Sequence, residues 1–284
     1  MSVEAGAEGE VGAEGEVAAD VAFVGCGRIA RAIVQGLVSA GYPAGRLRGV
    51  SRTGAGAHAL SREFGILFAA SPNEAVHGAR LVVVATHPHE TEAVLRDLAD
   101  CVTPDHVLVS LVASWRTEAV AAAIPGVPVV RAVPNVAVSL RMGTTVLSGG
   151  PGTTSGSLAE VETLFGRLGH VAVAEEDSLE AVSAVSGAGP ALIAYFTEAL
   201  AVAAADHGLD GTTASLLAAQ TVRGTGALLE HADSPRSVIE SVRSPGGMTA
   251  AALDTLQDRG VAEAARAATA AAIRLSYRRM ATGR

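Results

Sequence analysis

The sequence contains no lysine, so all 21 of its Lys and Arg residues are arginine. Schiff-base chemistry, phosphate loops of the Gly-Lys-Ser/Thr type and lysine-assisted hydride transfer all need an amine, and they are therefore excluded. The net charge is −8, and no basic cluster stands beside an apolar anchor. We therefore expect neither nucleic acid nor a membrane among the partners.

Cysteines and long apolar runs are also scarce. Cys26 and Cys101 are too few and too far apart for a disulfide framework or a zinc site, so we expect no bound metal. No apolar run approaches the roughly 20 residues of a membrane span, and the acidic N-terminus does not resemble a signal peptide. These absences predict a cytoplasmic protein.

The sequence pattern changes along the chain. Residues 1–19 repeat Gly-Ala-Glu-Gly-Glu-Val and predict a disordered acidic tail. From residue 20 to residue 176, short β-branched runs alternate with Ala/Leu-rich stretches, which predicts an α/β Rossmann domain with a doubly wound parallel sheet. Its clearest strands are predicted at residues 21–25, 81–86, 107–112 and 127–133, and two further strand candidates are residues 144–147 and 171–174.

Residues 177–284 show no strand pattern and are predicted to form an all-helical domain. Turn-type compositions predict helix breaks at residues 186–190, 208–211, 233–235 and 244–247. Ala-rich helices have few bulky side chains for a core of their own. We therefore expect this domain to bury one face against a second subunit, in a homodimer or a larger homo-oligomer.

A glycine-rich motif follows the first predicted strand. Gly25, Gly27 and Ala30 form a G-x-G-x-x-A sequence, with Arg28 and Ile29 between its last two fixed positions. The first glycine permits a tight turn, the second lets the backbone approach a pyrophosphate, and the small third residue lets the helix pack closely on the strand. The motif favours dinucleotide binding over a purely structural turn.

The end of the second strand indicates which nicotinamide cofactor is bound. An acidic residue about 20 positions after the loop would hold a free ribose 2′-hydroxyl, and none is present. Instead, Ser51, Arg52 and Thr53 place a guanidinium between two hydroxyls, which suits a 2′-phosphate. NADPH is therefore the predicted cofactor, and the alternative is that Arg52 is a solvated loop residue.

Motifs in both halves resemble those of the pyrroline-5-carboxylate reductase family, which makes proline by reducing a cyclic imine. The most specific are residues 185–191 (Val-Ser-Gly-Ala-Gly-Pro-Ala) and residues 244–249, which are similar to the family's S-P-G-G-x-T signature. Residues 133–135 (Val-Pro-Asn) resemble M-P-N, and residues 85–88 (Ala-Thr-His-Pro) resemble A-V-K-P. The resemblance starts near Val21 and covers nearly the whole chain.

By that resemblance the fold is a Rossmann domain followed by a helical dimerisation domain. The cofactor is NAD(P)H, and the active site forms at a dimer interface. The resemblance implies that the cofactor is contacted by Asn73, Thr86, His87 and Pro88. It implies that the substrate is contacted by Asn135, by Ala188 and by the Ser-Pro-Gly-Gly turn with its neighbours.

The physical chemistry of that turn agrees with the resemblance. A turn of Ser244, Gly246 and Gly247 that opens a helix exposes backbone N–H groups, and a substrate carboxylate is a natural guest for them. Thr249 would lie in the first helical turn, where its hydroxyl can hydrogen-bond an imine nitrogen while a hydride arrives. We therefore predict Thr249 as the catalytic residue. The alternative for this segment is an ordinary loop with a helix N-cap.

Several residues depart from the family pattern close to the expected chemistry, including Ala113-Ser114 after the fifth strand and Val136-Ala137 after Asn135. His87 replaces the lysine of A-V-K-P, Ala188 replaces a serine, Arg243 replaces a threonine, and Met248 precedes Thr249. Changes of this kind alter substrate preference by about 1–3 kcal/mol each. The substrate therefore stays open among pyrroline-5-carboxylate, a substituted pyrroline, a six-membered cyclic imine acid and another imine. Arg243 would favour an imine with an extra polar or anionic group.

Two other functions compete with an imine reductase. Hydroxy acid dehydrogenases resemble this architecture but rely on a lysine that the chain lacks. A catalytically altered, NADP(H)-binding regulatory protein is compatible with the departures near the pocket. His87 and His89 flank Pro88 and suggest a metal, but no third ligand stands at a suitable spacing, so His87 is interpreted as a titratable neighbour of the nicotinamide or a solvated loop residue. We predict an NADPH-dependent cyclic imine reductase.

Overall fold

The computed structural model describes residues 21–113 and 115–282. The predicted acidic tail, residues 1–19, lies outside the described residues. Within them, a sheet covered by helices is followed by a purely helical part, which confirms the predicted fold class.

The sheet contains eight strands, and its central strands are valine-rich runs buried on both faces, as is typical of parallel strands between helices. They are β1 (Val21–Val24), β2 (Leu47–Val50), β3 (Leu67–Phe68), β4 (Leu81–Val84), β5 (Val107–Ser110), β6 (Val129–Pro134), β7 (Gly143–Gly149) and β8 (Gly169–Val173). The order is β3-β2-β1-β4-β5-β6-β7-β8, so the chain switches direction across the sheet between β1 and β4. Ligands of such sheets bind outside the carboxyl ends of the strands at this switch point.

The sheet is not parallel throughout. The six strands predicted by range and the second strand predicted before Ser51, which is β2, are all present, whereas the two-residue β3 escaped prediction because it is too short to show an alternating pattern. β6 pairs with β7 antiparallel, and β8 is parallel to β7. The connection from β6 to β7 contains only a 3₁₀ turn, Val136–Leu140, and a parallel crossover needs a dozen or more residues. The expectation of a wholly parallel sheet is therefore wrong at this edge.

Six helices cover the two faces of the sheet: α1 (Arg28–Ser39), α2 (Ala55–Phe64), α3 (Pro72–Val76), α4 (Pro88–Ala99), α5 (Thr117–Ala123) and α6 (Ser155–Gly166). Alternation along β1 divides the core in two. Val21 and Phe23 pack with side chains of α1, α2 and α6, whereas Ala22 and Val24 pack with side chains of α3, α4 and α5. Helices therefore pack on both faces of the sheet and hold the ends of its strands in place.

The helical part comprises α7 (Leu179–Val182), a π-helical turn (Ser183–Gly187), α8 (Gly189–Asp206), α9 (Gly211–Glu230), α10 (Pro235–Val242), α11 (Met248–Asp258) and α12 (Val261–Thr282). The predicted breaks before α9, α10 and α11 are confirmed. The predicted boundary at residues 186–190 is also present, since α8 begins at Gly189, but it is a π-helical turn and a bend within one helical stretch rather than a loop. The Ala188 N–H donates to the Ser183 carbonyl five residues back, and Pro190, which has no N–H, follows this wider turn.

The continuous helical stretch Glu176–Asp206 is long and apolar enough to cross a membrane by length and composition. The expectation that no apolar segment reaches that length is therefore wrong, since the sequence did not show that the helix runs through residues 186–190. Within the chain, only 6% of an apolar 18-residue segment of this stretch is buried. Tyr195 and Val185 are 74% and 65% exposed, and α8 has no fully buried residue. An apolar helix face of this kind is typical of a surface that another protein or an apolar phase covers.

Candidate active site

The glycine-rich loop begins where β1 ends, and its first glycine is required by geometry. Gly25 has a φ of 96°, and a Cβ atom there would lie 2.6 Å from the carbonyl oxygen of Ala85. The Gly25 N–H donates to the Val50 carbonyl across 2.9 Å, which fixes the loop to the end of β2. Any L-residue at Gly25 would combine an unfavourable φ with a backbone clash.

The second half of the loop opens α1. Gly27 is the N-cap residue of α1, makes no side-chain cap hydrogen bond, and would have nothing within 4 Å of an added Cβ. Arg28 is exposed and Ile29 half-buried in the first turn, whereas Ala30 is fully buried against the sheet. The helix start therefore offers open space and N–H groups without a side-chain cap, a geometry that could hold a pyrophosphate.

Cys26, between the two glycines, is a packing residue. Its Sγ atom donates to the Val50 carbonyl at 3.5 Å, and Gly49 and Gly56 both approach it closely. Burial raises the pKa of the Cys26 thiol to about 12. The thiol is therefore neutral at physiological pH and unsuited to nucleophilic chemistry.

The predicted 2′-phosphate residues follow β2 directly. The Ser51 Oγ atom accepts from the Ala57 N–H at 3.1 Å, so this side chain already supports α2, while Thr53 is exposed. Arg52 is 81% exposed at its side chain, and its Nε atom lies 3.2 Å from Oε1 of Glu90 in the first turn of α4. Glu90 was not predicted as part of this region, because no sequence pattern connects it with Arg52.

The turn after β4 is held by two threonines. The Oγ1 atoms of Thr86 and Thr91 are 3.2 Å apart, and the buried Thr91 also donates to the His87 carbonyl at 3.0 Å. Pro88 begins α4, and its carbonyl accepts from the indole N–H of Trp115 at 3.3 Å. Trp115 therefore joins the segment after β5 to this turn.

The other predicted residues of this edge are exposed. The imidazole of His87 stacks on that of His89, with ring centroids 5.7 Å apart. In the described part of the chain, no group of three or more His, Cys, Asp or Glu residues could hold a metal ion. Asn73 is exposed on α3, which packs against β1, β2 and α4.

Asn135 connects the sheet to the helical part. Its Oδ1 atom accepts from the N–H groups of Ala137 and Thr144, at 3.2 and 3.3 Å, and its Nδ2 atom donates to Oγ of Ser186 at 3.3 Å. Ser186 lies in the π-helical turn, and the half-buried Ala188 follows directly. The structure therefore brings two of the predicted motifs together, and π-helical turns often occur at functional sites.

The Ser-Pro-Gly-Gly turn has the predicted form. Gly246 has a φ of 69°, and Gly247 is the N-cap of α11, with its N–H donating to the Ser244 carbonyl at 3.1 Å. A Cβ atom on Gly247 would lie 2.3 Å from Oγ of Ser244. Thr249 lies half-buried in the first turn of α11, and Met248 is 92% exposed.

In the described residues, the polar contacts of this turn stay within its own helical segment. Arg243, which precedes it, forms an ion pair with Asp254 of α11, with Nη2 and Oδ1 2.9 Å apart. No hydrogen bond or ion pair found in residues 21–113 and 115–282 joins Ser244 or Thr249 to the glycine-rich loop. Within the described residues, the glycine-rich loop and the Ser-Pro-Gly-Gly turn are therefore not joined by polar contacts.

A buried ionic cluster at the junction was missed by sequence reasoning. Arg131 of β6 donates to Glu180 at 2.6 Å and to Glu176 at 3.4 Å. Glu176 also accepts from the N–H and Oγ1 of Thr117, at 2.9 and 2.8 Å, and Glu180 accepts from the Ser276 hydroxyl. An arginine within a valine-rich strand was the available signal. Its acidic partners are 45 and 49 residues away and could not be paired with it by pattern alone.

A concave surface lies away from the glycine-rich loop. It is a groove of about 640 Å³ between α8 and α9, lined by Pro190, Ile193, Thr197, Glu198, Val202 and Val222 among others. It shares this helical surface with the exposed apolar side chains of α8. A wide groove between long helices is a geometry that a further helix can fill.

Comparisons with known proteins assign both halves of the chain. The family described as pyrroline-5-carboxylate reductase dimerisation matches residues 176–278. The family described as NADP oxidoreductase coenzyme F420-dependent matches residues 20–114. Pyrroline-5-carboxylate reductase of Mycobacterium tuberculosis is 36% identical, over 89% of this chain and 94% of that protein. The enzyme of the same name from Pseudomonas aeruginosa is 34% identical, over 84% of this chain and 89% of that protein.

Solved structures agree with this assignment. A pyrroline-5-carboxylate reductase from Coxiella burnetii superimposes with a TM-score of 0.84 at 29% identity, covering 92% of this chain and 98% of that one. The Plasmodium falciparum pyrroline carboxylate reductase, solved with NADP bound, has a TM-score of 0.83 at 21% identity, covering 94% and 98%, and supports the fold. The predicted resemblance is confirmed: the chain belongs to the pyrroline-5-carboxylate reductase family.

Proposed function

We propose that this protein is an NADPH-dependent reductase of cyclic imine carboxylates, converting pyrroline-5-carboxylate to proline or reducing a close analogue. One observation carries the proposal. The chain combines an open helix start without a side-chain cap after β1 with a Ser-Pro-Gly-Gly turn before α11. It does so in a family member that matches 94% of the length of the Mycobacterium tuberculosis reductase.

The glycine-rich loop and the end of β2 fit the two anionic parts of NADPH. When bound, NADPH supplies a hydride from its nicotinamide ring. The N–H groups at Gly27, Arg28, Ile29 and Ala30 would hold the pyrophosphate, while Gly25 lets the loop turn. The 2′-phosphate would be bound by Ser51, Arg52 and Thr53. The nicotinamide end would lie along residues Asn73, Thr86, His87 and Pro88.

The Ser-Pro-Gly-Gly turn would hold the substrate carboxylate through the backbone at Ser244, Gly246 and Gly247. Asn135, Ala188, Arg243 and Met248 would shape the pocket around the ring. The Thr249 hydroxyl would hydrogen-bond the imine nitrogen and align the C=N bond. Addition of a hydride to the imine carbon would move the π electrons to nitrogen, and that nitrogen would take its proton from water to give the amine.

The oligomer is part of the proposal. Because the turn before α11 makes its polar contacts inside its own helical segment, and α8 exposes an apolar face, we expect the site to be completed in a homodimer. The proposed division is a tail over residues 1–19, a dinucleotide-binding domain over residues 20–176 and a substrate and dimerisation domain over residues 177–284. We place the protein in the cytoplasm, where its two free cysteines would stay reduced.

Substitution of Thr249 tests the chemistry. Valine is nearly isosteric with threonine, so Thr249→Val should preserve folding and NADPH binding and lower kcat by roughly 10- to 1,000-fold, the scale of losing one oriented hydrogen bond in the transition state. Thr249→Ser should restore part of the rate. The assay is NADPH consumption with a panel of cyclic imines, and cofactor fluorescence measures binding separately.

A matched control lies on the same helix. The Oγ1 atom of the exposed Thr255 donates to the Ala251 carbonyl at 2.9 Å, so Thr255→Val removes a threonine hydroxyl outside the proposed pocket and should leave kcat unchanged. Unchanged kcat in Thr249→Val would show that Thr249 only supports its helix. NADPH binding by a wild-type protein that reduces none of the imines would favour the regulatory alternative.

A further inference from the structure

The ion pair between Arg52 and Glu90 crosses the cofactor crevice. Arg52 follows β2, and Glu90 lies in the first turn of α4, which follows β4. β1 lies between these strands, so β2 and β4 are about 10 Å apart at a strand spacing near 4.8 Å. The contact of 3.2 Å between Arg52 Nε and Glu90 Oε1 therefore passes over the carboxyl end of β1, where the glycine-rich loop begins.

The two partners of this pair differ in how firmly they are held. The Arg52 side chain is 81% exposed, whereas that of Glu90 is 22% exposed. The Glu90 N–H donates to the His87 carbonyl at 2.9 Å, and an acidic side chain in the first turn of a helix is stabilised by the helix dipole. Arg52 is therefore the partner that moves when a stronger anion arrives.

We propose that Glu90 is a specificity-determining residue that competes with the 2′-phosphate of NADPH for Arg52. A 2′-phosphate has to replace the Glu90 carboxylate at the Arg52 guanidinium, so the ion pair between these two residues weakens NADPH binding. NADH carries a 2′-hydroxyl in that position and makes no comparable demand on Arg52. Glu90 thus reduces the ratio of NADPH affinity to NADH affinity that Arg52 creates. The inference rests on the proposed use of NADPH.

The test compares Glu90→Gln with a control variant from the same helix. Glu92 forms an ion pair with Arg96 at 3.3 Å, and both side chains are more than two-thirds exposed, so Glu92→Gln removes the same charge two residues away without touching Arg52. Fluorescence titration of the full-length wild-type and variant proteins with NADPH and with NADH gives one dissociation constant for each protein with each cofactor.

Glu90→Gln should tighten NADPH binding about three- to tenfold and change NADH binding less than twofold. These limits follow from the modest strength of exposed ion pairs together with the added attraction for a phosphate. Glu92→Gln should change both less than twofold. In an Arg52→Ala background, Glu90→Gln should change NADPH binding less than twofold, because the competition acts through Arg52.

Weaker NADPH binding by Glu90→Gln would overturn the inference and show that Glu90 orients Arg52 for the phosphate. Equal changes for NADPH and NADH would also overturn it, since they would indicate an effect on the whole crevice. Either result leaves the proposed reductase standing if the wild-type protein consumes NADPH with a cyclic imine. A wild-type protein that binds no NADPH would remove both proposals.

Discussion

Removing Glu180 should destabilise the protein because it leaves a buried cation short of its nearest partner. The Glu180 and Arg131 side chains are 3% and 4% exposed, and the Arg131 guanidinium lies 2.6 Å from Oε1 of Glu180. The second oxygen of Glu180 accepts from Ser276 of α12. Glu180→Ala therefore removes two links in a single change: the ion pair between β6 and α7, and the hydrogen bond between α7 and α12.

The size of the effect follows from burial. Breaking a buried ion pair by removing one partner costs about 3–5 kcal/mol. Glu176 still lies 3.4 Å from Arg131 in the variant, so the lower end of that range, about 3 kcal/mol, is expected. For a chain of this size, that loss lowers Tm by roughly 6–12 °C.

The assay is thermal and urea unfolding at a fixed protein concentration, because the Tm of an oligomer depends on concentration. The control is Glu63→Ala, which removes the partner of Arg31 from a pair whose side chains are 44% and 49% exposed. That change should cost less than about 1 kcal/mol. If Glu180→Ala costs no more than Glu63→Ala, the buried cluster does not hold the two parts of the chain together.

Three further predictions concern the cofactor, the substrate and the loop cysteine. Wild-type enzyme should prefer NADPH over NADH by at least about tenfold in kcat/KM, and Arg52→Ala should remove most of that preference; equal use of both by the wild type would contradict the assignment. Arg243→Thr frees Asp254 and should shift the ranking of an imine panel toward pyrroline-5-carboxylate; an unchanged ranking would make Arg243 a surface charge. Because burial raises the pKa of the Cys26 thiol from 9.0 to about 12, this thiol should resist alkylation at pH 8 until the protein is unfolded, as mass spectrometry would show. Between those two pKa values the unfolded chain loses this proton first, so the stability contributed by Cys26 should fall as pH rises from about 9 to about 12; rapid labelling of folded protein would contradict the raised pKa.

Local patterns were sufficient to predict the form of the glycine-rich loop. The tight turn at Gly25 and the opening of α1 after Gly27 follow from the local G-x-G-x-x-A pattern, and the structure shows both, whereas the clash that a side chain at Gly25 would make with Ala85 comes from a distant strand end. The Ser-Pro-Gly-Gly turn was predictable for the same reason, since Gly246 and Gly247 have the conformations that such a turn needs. The assigned roles of these residues in binding and catalysis stay predictions.

The features that escaped prediction depend on distant contacts or on helix continuity. Arg131 meets Glu180 across 49 residues, and Arg52 meets Glu90 across 38, and neither pairing has a sequence signature. Residues 186–190 have the composition of a turn, yet the π-helical turn lets the helix pass through them. The antiparallel pairing of β6 with β7 does have a local signal, because their short connection is incompatible with a parallel crossover.

The central claim is that this chain transfers a hydride from NADPH to the carbon of a cyclic C=N bond. The most direct measurement uses NADPH carrying deuterium at both C4 positions, with pyrroline-5-carboxylate and the purified full-length protein, followed by mass spectrometry of the amino acid formed. The account predicts one deuterium per molecule of proline, bound to the ring carbon next to nitrogen, and one NADPH consumed per proline. NADPH that is bound but not consumed, or proline without deuterium, would contradict it.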